Sequence, residues 1–469
     1  MNREKIRSFI LVLIKIFFVG LVLQFLIQTF ITFQLGGDGS FWNFVWMRKE
    51  IIILILTVLV GLGYAGMKKF SHPLWKFILL FMATGLIFLV FSVFIQKVGV
   101  SPFVLTVKYD LLPFFIWGLG ICVALFFLTE QDRSIIHLYH KIVKFGLRGG
   151  FFWLLLIYFM PTGLKFFGYD PYSREGTIDA RPPAVYYTLI SPYAQGSMLR
   201  NQFLFERPIN FGFWLVAFFP VFALGFLRKK SIKKQIFYTI GFGLLVLSTW
   251  SRAAIVIFAV EVLAIMFILH WKNIKKYLPL FIIICVLGAG GIGVFGNKYF
   301  AREHSTTGHF ALIAEGRILA KDHLITGRGA GYAGPASHQI CFNALENELE
   351  NERCAKITSI NDKYEITTYG FNPENQFLQI IMEYGLVGFI ARMAMICWII
   401  RYSIQILKKM HNNLKTEPQK LIYFTVMGCT IGLIGLLGEG MLLHSFSDRM
   451  VVYPFFLLYG ISLGLAEKV

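Results

Sequence analysis

Charged residues are scarce in this chain. Asp, Glu, Lys and Arg make up 15% of its 469 residues, whereas 56% are hydrophobic and 17% are aromatic. A water-soluble domain needs a larger polar fraction to wet its surface, so the composition excludes an ordinary soluble enzyme. Apolar runs of roughly 20 residues, long enough to cross a hydrocarbon core of ~30 Å as a helix, recur instead from end to end.

These runs predict an all-α, polytopic membrane protein with about twelve transmembrane helices in a single integral-membrane domain, 1–469. The first run follows a basic start, but no small-residue cleavage site comes after it, so we expect it to be retained as a helix. The predicted spans are 8–33, 51–67, 77–96, 111–129, 150–166, 209–227, 235–250, 253–270, 277–296, 376–400, 421–438 and 450–466.

Acidic residues are also few, with 26 Asp and Glu against 45 Lys and Arg, which gives a net charge of +19. If both termini face the cytoplasm, the stretches assigned to that side carry all of this net charge, as the positive-inside rule requires. The charge therefore has a topological explanation, and no nucleic-acid partner is expected. We predict a multi-pass protein of the bacterial inner membrane, surrounded by membrane lipids.

Metal and nucleotide motifs are missing. The histidines lack the spacing of metal ligands, so we expect no metal and no cofactor. The stretch GRGAGYAG, 327–334, lacks a following P-loop lysine and serine, so it is not a nucleotide loop. Its glycines predict a tight turn beside a cleft, where Arg328 is a candidate substrate-binding residue.

Two long extracytoplasmic loops, 168–208 and 297–375, interrupt the otherwise short connections, and we expect short helices within them. Function is to be sought there, because binding residues concentrate on loops. Cys341 and Cys354 share the second loop, where an oxidising compartment favours a disulfide; two free thiols are the alternative. No internal repeat is visible, which disfavours a transporter.

Arginines recur on the side where topology places few positive charges: Arg200, Arg207 and Arg252. Arg252 stands between two spans joined by almost no loop, so its guanidinium should lie near the membrane edge. An arginine there must pair, reach the interface or bind an anion. The planar guanidinium group suits the oxygens of a diphosphate. For the outside arginines as a group, which also include Arg174 and Arg181, the alternative is pairing with the acidic residues Asp170, Glu175, Asp179 and Glu206.

A carboxylate and an amide, Glu374 and Asn375, open a predicted span in NPENQFLQIIMEYG. A carboxylate at the boundary of water and membrane suits a general base for a sugar hydroxyl. Alternatively, Asn375 is the N-cap of the helix. His444 and Asp448, in the last outside loop, are further candidates for substrate binding, with interfacial anchoring as the alternative.

The order of four elements resembles the O-antigen ligase and polymerase family of bacterial membrane glycosyltransferases, most clearly over about 196–400. An arginine precedes a span in MLRNQFLFERPINFGFWLVAFFP, and a Ser-Arg pair follows an apolar run in STWSRAAIVIF. A helix leads to a glycine-rich turn in AEGRILAKDHLITGRGAG, and a polar-Asn-aromatic-Leu helix start follows in ENQFLQIIMEYGLVG.

The resemblance implies a metal-independent transfer of an undecaprenyl-diphosphate-linked oligosaccharide to a hydroxyl of a glycan or glycolipid acceptor, in an active site facing the periplasm or exterior. Arg200, Arg207 and Arg252 would hold the diphosphate, and Glu374 would occupy the position of the base. Ligases of the family commonly carry His before that Asn, whereas Glu is more like chain polymerases. We therefore expect a polysaccharide polymerase, with a ligase acting on lipid A core, or an exporter or flippase, as alternatives.

Overall fold

Long apolar helices packed into a bundle make up most of the structure. The computed structural model describes residues 3–34, 39–65, 74–98, 100–129, 132, 134–160, 201, 203, 205, 208–270, 303–334, 337, 356–361, 364–369 and 371–469. Its helices are α1 (Arg3–Gln34), α2 (Gly39–Ala65), α3 (Leu74–Leu89), α4 (Val100–Asp110), α5 (Leu112–Phe127), α6 (Ser134–Phe159), α7 (Pro208–Gly225), α8 (Ile232–Ser248), α9 (Arg252–His270), α10 (Glu303–Lys321), α11 (Gln376–His411), α12 (Glu417–Gly440) and α13 (Arg449–Glu467).

Short turns extend this set. A π-helical turn, Val90–Ile95, continues α3, and 3-10 turns at Leu227–Lys229 and Ser445–Ser447 follow α7 and precede α13. Within the second predicted loop, β1 (Lys356–Asn361) and β2 (Tyr364–Tyr369) pair antiparallel, an addition to the helical bundle that the sequence analysis did not include. Both strands contain isoleucine and threonine, and such β-branched residues favour extended backbone.

Seven helices among the described residues are long and apolar enough to cross a membrane, which confirms the multispanning prediction. The count of twelve is not confirmed; the predicted span 277–296 lies outside the described residues. The seven are Leu74–Ile95, Ser134–Phe159, Ile209–Lys229, Arg252–His270, Gln376–His411, Glu417–Gly440 and Arg449–Glu467, and Leu112–Phe127 is apolar but shorter.

Helix α13 lies in the middle of the bundle, with every side chain from Val451 to Ala466 buried. Helices α3 and α9 lie at the edge and expose apolar side chains such as Met82 and Val256. In a membrane, lipid tails would cover these side chains, so their exposure on the bundle surface carries no free-energy cost. The core of the bundle is thus sequestered from lipid by its own outer helices.

Close approach of α5 and α13 depends on glycine. Gly120 and Gly460 face each other at backbone distance, and a Cβ added at Gly460 would collide with the carbonyl oxygen of Trp117. Small residues allow such backbone contact between membrane helices, where packing rather than water exclusion drives association. The central pair of the bundle is therefore intolerant of even one extra methyl group.

We expect Gly460→Ala to destabilise the protein by about 1–3 kcal/mol, because the helices must separate to admit the methyl group. The measurement is the Tm of the purified protein in detergent. Gly61→Ala is the matched control, since a Cβ at Gly61 meets nothing within 4 Å. Equal Tm values for the two variants would contradict the packing argument.

Helix α11 is broken into two arms at Gly385, whose φ is 67° and ψ −172°. The rings of Phe377 and Phe389 lie 6.1 Å apart across the break. A straight helix would separate those residues by about 18 Å, so the arm 376–384 folds back on the arm 386–411. The predicted span at 376–400 therefore contains a break, because glycine at 385 takes up a backbone conformation that ends the first arm.

Candidate functional site

The glycine-rich segment 324–331 fills the break in α11. The Arg328 and Gly329 amides donate to the carbonyls of Met382 and Glu383 at 2.7 and 2.9 Å, and the Leu386 amide donates to Leu324 O at 2.7 Å. A helix end leaves backbone N–H and C=O groups without intrahelical partners, and this segment supplies hydrogen-bond partners for those groups. We call the end of the bundle where this contact occurs the site end.

The glycines are required by this docking. Gly327 has a φ of 72°, and a Cβ there would collide with the backbone of Glu383. A Cβ at Gly385 would likewise collide with the Ile325 carbonyl. The predicted tight turn is confirmed, and its physical reason is backbone-to-backbone contact with α11.

The buried carboxylate of Glu383 fastens the same segment. Its Oε1 accepts from the Gly331 amide at 2.8 Å, and its Oε2 accepts from Gln379 Nε2 at 3.1 Å. The side chain is completely buried, so it faces protein. This carboxylate therefore organises the site rather than contacting solvent.

Residues 371–375 lie between the glycine-rich segment and the connection 441–448. Phe371 O accepts from the Gly334 amide at 2.7 Å. Asn375 Oδ1 accepts from the Leu378 amide at 2.9 Å and caps α11, while its Nδ2 donates to Met441 O at 2.6 Å. The capping role that the sequence left open for Asn375 is confirmed, and both ends of its amide are engaged.

Glu374, the predicted base, follows in this segment with a left-handed φ of 48°. Its amide donates to Asn372 Oδ1 at 3.1 Å. Its Oε2 lies 2.6 Å from Nδ1 of His309 on α10, and the two side chains are 40% and 15% exposed. The contact between His309 and Glu374 was not predicted, since 65 residues separate them and no local pattern links them.

His444 and Asp448 hold the neighbouring connection. His444 Nε2 donates to Asn372 Oδ1, and Asp448 accepts from the Met450 amide at 2.8 Å to cap α13. Burial and the nearby Arg392 guanidinium lower the pKa of His444 to about 3, so its imidazole is neutral. The contact of His444 with Asn372 places both candidates around the segment that carries Glu374.

Arg252 is the first residue of α9, and its side chain is exposed at the site end. Helix α12 connects it to the Glu374 segment. The site-end turns of α12 lie against both neighbours, since a Cβ at Gly438 would contact Ile257 of α9 and one at Gly440 would approach Gln376 of α11. Arg252 and Glu374 therefore belong to elements that meet at the same end of the bundle.

The turn before Arg252 is hydrogen-bonded to Asn201. The Asn201 amide donates to Ser248 O at 2.9 Å, and Asn201 Nδ2 donates to Gly150 O at 3.1 Å. Ser251 Oγ accepts from the Ala254 amide at 3.4 Å at the start of α9. Asn201 thus joins the approach to α7 to the turn that carries Arg252.

Other predicted site residues lie apart from Glu374 or outside the described residues. Arg328 Nε donates to Leu319 O at 3.0 Å, and its guanidinium lies over the ring of Tyr332, so its side chain contacts the end of α10 and the nearby Tyr332. Four predicted residues lie outside the described residues: Arg200, Arg207, Cys341 and Cys354.

A buried ion pair was not predicted from the sequence. Arg392 Nη1 lies 2.6 Å from Asp110 Oδ1, with both side chains almost fully buried, and the Tyr384 hydroxyl donates to Asp110 at 3.3 Å. Tyr384 stacks on Phe88 with ring centroids 3.6 Å apart. The sequence signal for this pair was Arg392 inside the predicted span 376–400, because a charged residue within a span needs a partner.

Strained backbone marks the same end. Among the described residues, non-glycine positive φ angles occur at Lys97, Phe203, Trp250 and Glu374. Trp250 lies two residues before Arg252, and Glu374 is itself a predicted catalytic residue; the third such residue, Arg200, lies outside the described residues. Such strain persists only where surrounding contacts enforce it, and it is frequent at functional sites.

The class of protein follows from these observations: a multispanning membrane protein in which two candidate residues, Arg252 and Glu374, belong to elements that meet at one end of the described helices. No group of three or more His, Cys, Asp or Glu that could hold a metal ion occurs in the described ranges. A family model described as O-antigen ligase matches residues 236–393. This match confirms the resemblance to the O-antigen ligase and polymerase family over that part of the chain. A search of curated proteins finds no match.

The lowered pKa of His444 predicts a pH effect on stability. The unfolded imidazole takes up a proton below about pH 6.5, while the folded one resists it down to about 3, so stability falls as pH drops below 6.5. At pH 5 the loss is about 2 kcal/mol. We expect the Tm of His444→Gln, whose amide can still donate to Asn372, to fall less between pH 7.5 and 5 than that of the wild type. Parallel Tm curves would contradict this assignment.

Proposed function

We propose that the protein is a membrane glycosyltransferase that moves an undecaprenyl-diphosphate-linked oligosaccharide onto an acceptor sugar hydroxyl. The observation that carries this proposal is the family match, because residues 236–393 include Arg252, the glycine-rich segment and Glu374. Their position at one end of the bundle supports a single site. Transfer on the extracytoplasmic face follows from the charge distribution of the sequence.

In this reaction an acceptor oxygen attacks the anomeric carbon of the donor. The new carbon–oxygen bond forms as the bond to the diphosphate breaks, and the electron pair leaves with the phosphate oxygen. Arg252, together with Arg200 and Arg207, would stabilise this developing negative charge, which is usually the largest catalytic contribution. The Glu374 carboxylate would accept the acceptor's proton, directly or through a partner.

An apolar groove beside the site end suits the donor's prenyl chain. It has a volume of about 860 Å³ and lies between α3, α4 and α5, with Phe81, Leu86 and Val107 among its lining residues. The ion pair between Lys108 and Glu50, 2.7 Å apart, lies at its polar rim. Leu111, which follows Asp110 in the chain, also lines the groove, and Asp110 is the partner of Arg392. These features support a lipid chain running along the outside of the bundle toward the site.

Glu374 favours chain polymerisation over ligation to lipid A core, since ligases commonly carry His at that position. The name of the matched family, O-antigen ligase, favours ligation. Both reactions use the same donor and the same leaving group, so the acceptor alone distinguishes them. We propose the polymerase as the first candidate and the ligase as the second.

The test supplies purified protein in lipid nanodiscs with lipid-linked repeat units, with and without lipid A core. A ladder of lengthened chains without core is expected, because a polymerase uses the growing chain as its acceptor. A single mobility shift that requires core would identify a ligase instead. Release of no diphosphate carrier under either condition would refute glycosyl transfer and leave an exporter or flippase.

Arg252→Ala is expected to lower kcat/KM for the donor about 100-fold or more, because the departing diphosphate loses a charged partner. Arg252→Lys should recover part of the rate, since it keeps the charge but loses the planar fork. Arg317→Ala, at an exposed position on α10, is the control and should stay within about twofold of the wild type. Full activity of Arg252→Ala would remove this residue from the mechanism.

A further inference from the structure

The contact between His309 and Glu374 has a defined direction. An ionised carboxylate only accepts hydrogen bonds, so the His309 nitrogen 2.6 Å from Glu374 Oε2, Nδ1, carries the proton. In the neutral ring the lone pair is then on Nε2. The carboxylate thereby fixes one tautomer, in which Nε2 is the basic atom.

Helix α10 holds His309 in place. Gly316, two turns further along the helix, lies against the segment that carries Glu374, since a Cβ there would meet Leu378, Phe371 and Pro373. Residues seven apart lie on the same face of a helix, so the face that packs on this segment also presents His309. The imidazole therefore reaches Glu374 because of the packing of α10.

The carboxylate is held just as firmly. The Glu374 amide donates to Asn372, which also accepts from His444, and the next residue, Asn375, caps α11. The left-handed φ of 48° at Glu374 shows that these contacts outweigh the backbone's ordinary preference. Two rigidly placed side chains from distant parts of the chain meet, and such convergence is typical of catalytic pairs.

The two partners are suited to different tasks. The Glu374 side chain is 40% exposed and the His309 side chain 15% exposed, so the imidazole is the more sheltered of the two. An imidazole is intrinsically a stronger base than a carboxylate and takes up a proton near neutral pH. A carboxylate that accepts from one ring nitrogen orients the ring and stabilises the imidazolium that forms.

We propose that His309, oriented by Glu374, is the group that takes the proton from the acceptor hydroxyl; this rests on the proposed glycosyl transfer. As the acceptor oxygen bonds to the anomeric carbon, its proton moves to His309 Nε2 and the diphosphate leaves with the bonding electron pair. The imidazolium then gives its proton to water. His309 is the catalytic residue of the pair, and Glu374 is the positioning residue.

The decisive variant is His309→Asn, whose side-chain amide can still donate to Glu374 but has no basic nitrogen. We expect kcat for transfer from lipid-linked repeat units to fall about 100-fold or more, with the KM for donor nearly unchanged. The Tm should stay close to that of the wild type. His323→Ala, in the turn after α10, is the matched control and should keep its activity within about twofold.

Glu374→Gln and the double variant test the coupling. Two residues that act as one unit give losses that do not multiply, so the double variant should be no slower than the slower single variant. Added imidazole should restore part of the rate to His309→Gly but none to Glu374→Gln. Glu374→Asp should recover part of the activity, because it returns a carboxylate acceptor.

The outcomes separate the two proposals. Wild-type protein that transfers no glycan overturns the proposed function and the pair with it. An active wild type with an active His309→Asn overturns the pair alone and leaves Glu374 as the direct base. Losses that multiply in the double variant also overturn the pair, as does loss of activity in His309→Asn that tracks a fall in Tm.

Discussion

The docking of the glycine-rich segment into the break of α11 is the contact on which the site depends. Breaking a helix inside the bundle removes backbone hydrogen bonds, and each buried group left unpaired costs about 1–3 kcal/mol. The amides of Arg328 and Gly329, and the carbonyl of Leu324, replace those bonds. The break and the segment therefore require each other. Together they fold the arm 376–384 back, so that Glu374 lies where α10 and the connection 441–448 can reach it.

Rigidity in a site built from loops comes from its neighbours. The segment 371–375 is held on one side by the Gly334 amide and on the other by His444 and Met441. Deeper in the bundle the Arg392–Asp110 ion pair joins α4 to the second arm of α11. Removing one partner of such a pair leaves a buried charge uncompensated, at a cost of roughly 3–5 kcal/mol. In the proposed reaction these contacts would prearrange the site before substrate arrives, as transfer rather than hydrolysis requires.

In the proposed reaction, different helices carry the residues for the leaving group and for the acceptor. Arg252 belongs to α9 and serves the leaving diphosphate, whereas His309 and Glu374 belong to α10 and the start of α11 and serve the acceptor hydroxyl. Helix α12 packs on both sides through Gly438 and Gly440. In the proposed reaction the leaving diphosphate and the acceptor hydroxyl would thus be served by residues of different helices.

Sequence alone determined the class of the molecule because hydropathy and charge are summed over whole segments. Twenty apolar residues predict a span wherever they occur, and the family resemblance followed from the order of short elements such as STWSR and ENQF. Local rules also gave the Asn375 cap and the glycine turn. These properties depend on neighbours in the chain, which a sequence displays directly.

Only the tertiary structure decided which residues meet. The break at Gly385, the His309–Glu374 pair and the Asp110–Arg392 pair each join positions that no local pattern links. A glycine inside an apolar run is compatible with a straight helix, and here another segment selects the broken form by supplying backbone hydrogen bonds. Partner choice depends on packing among helices far apart in the chain, and so it could not be worked out from any one stretch of residues.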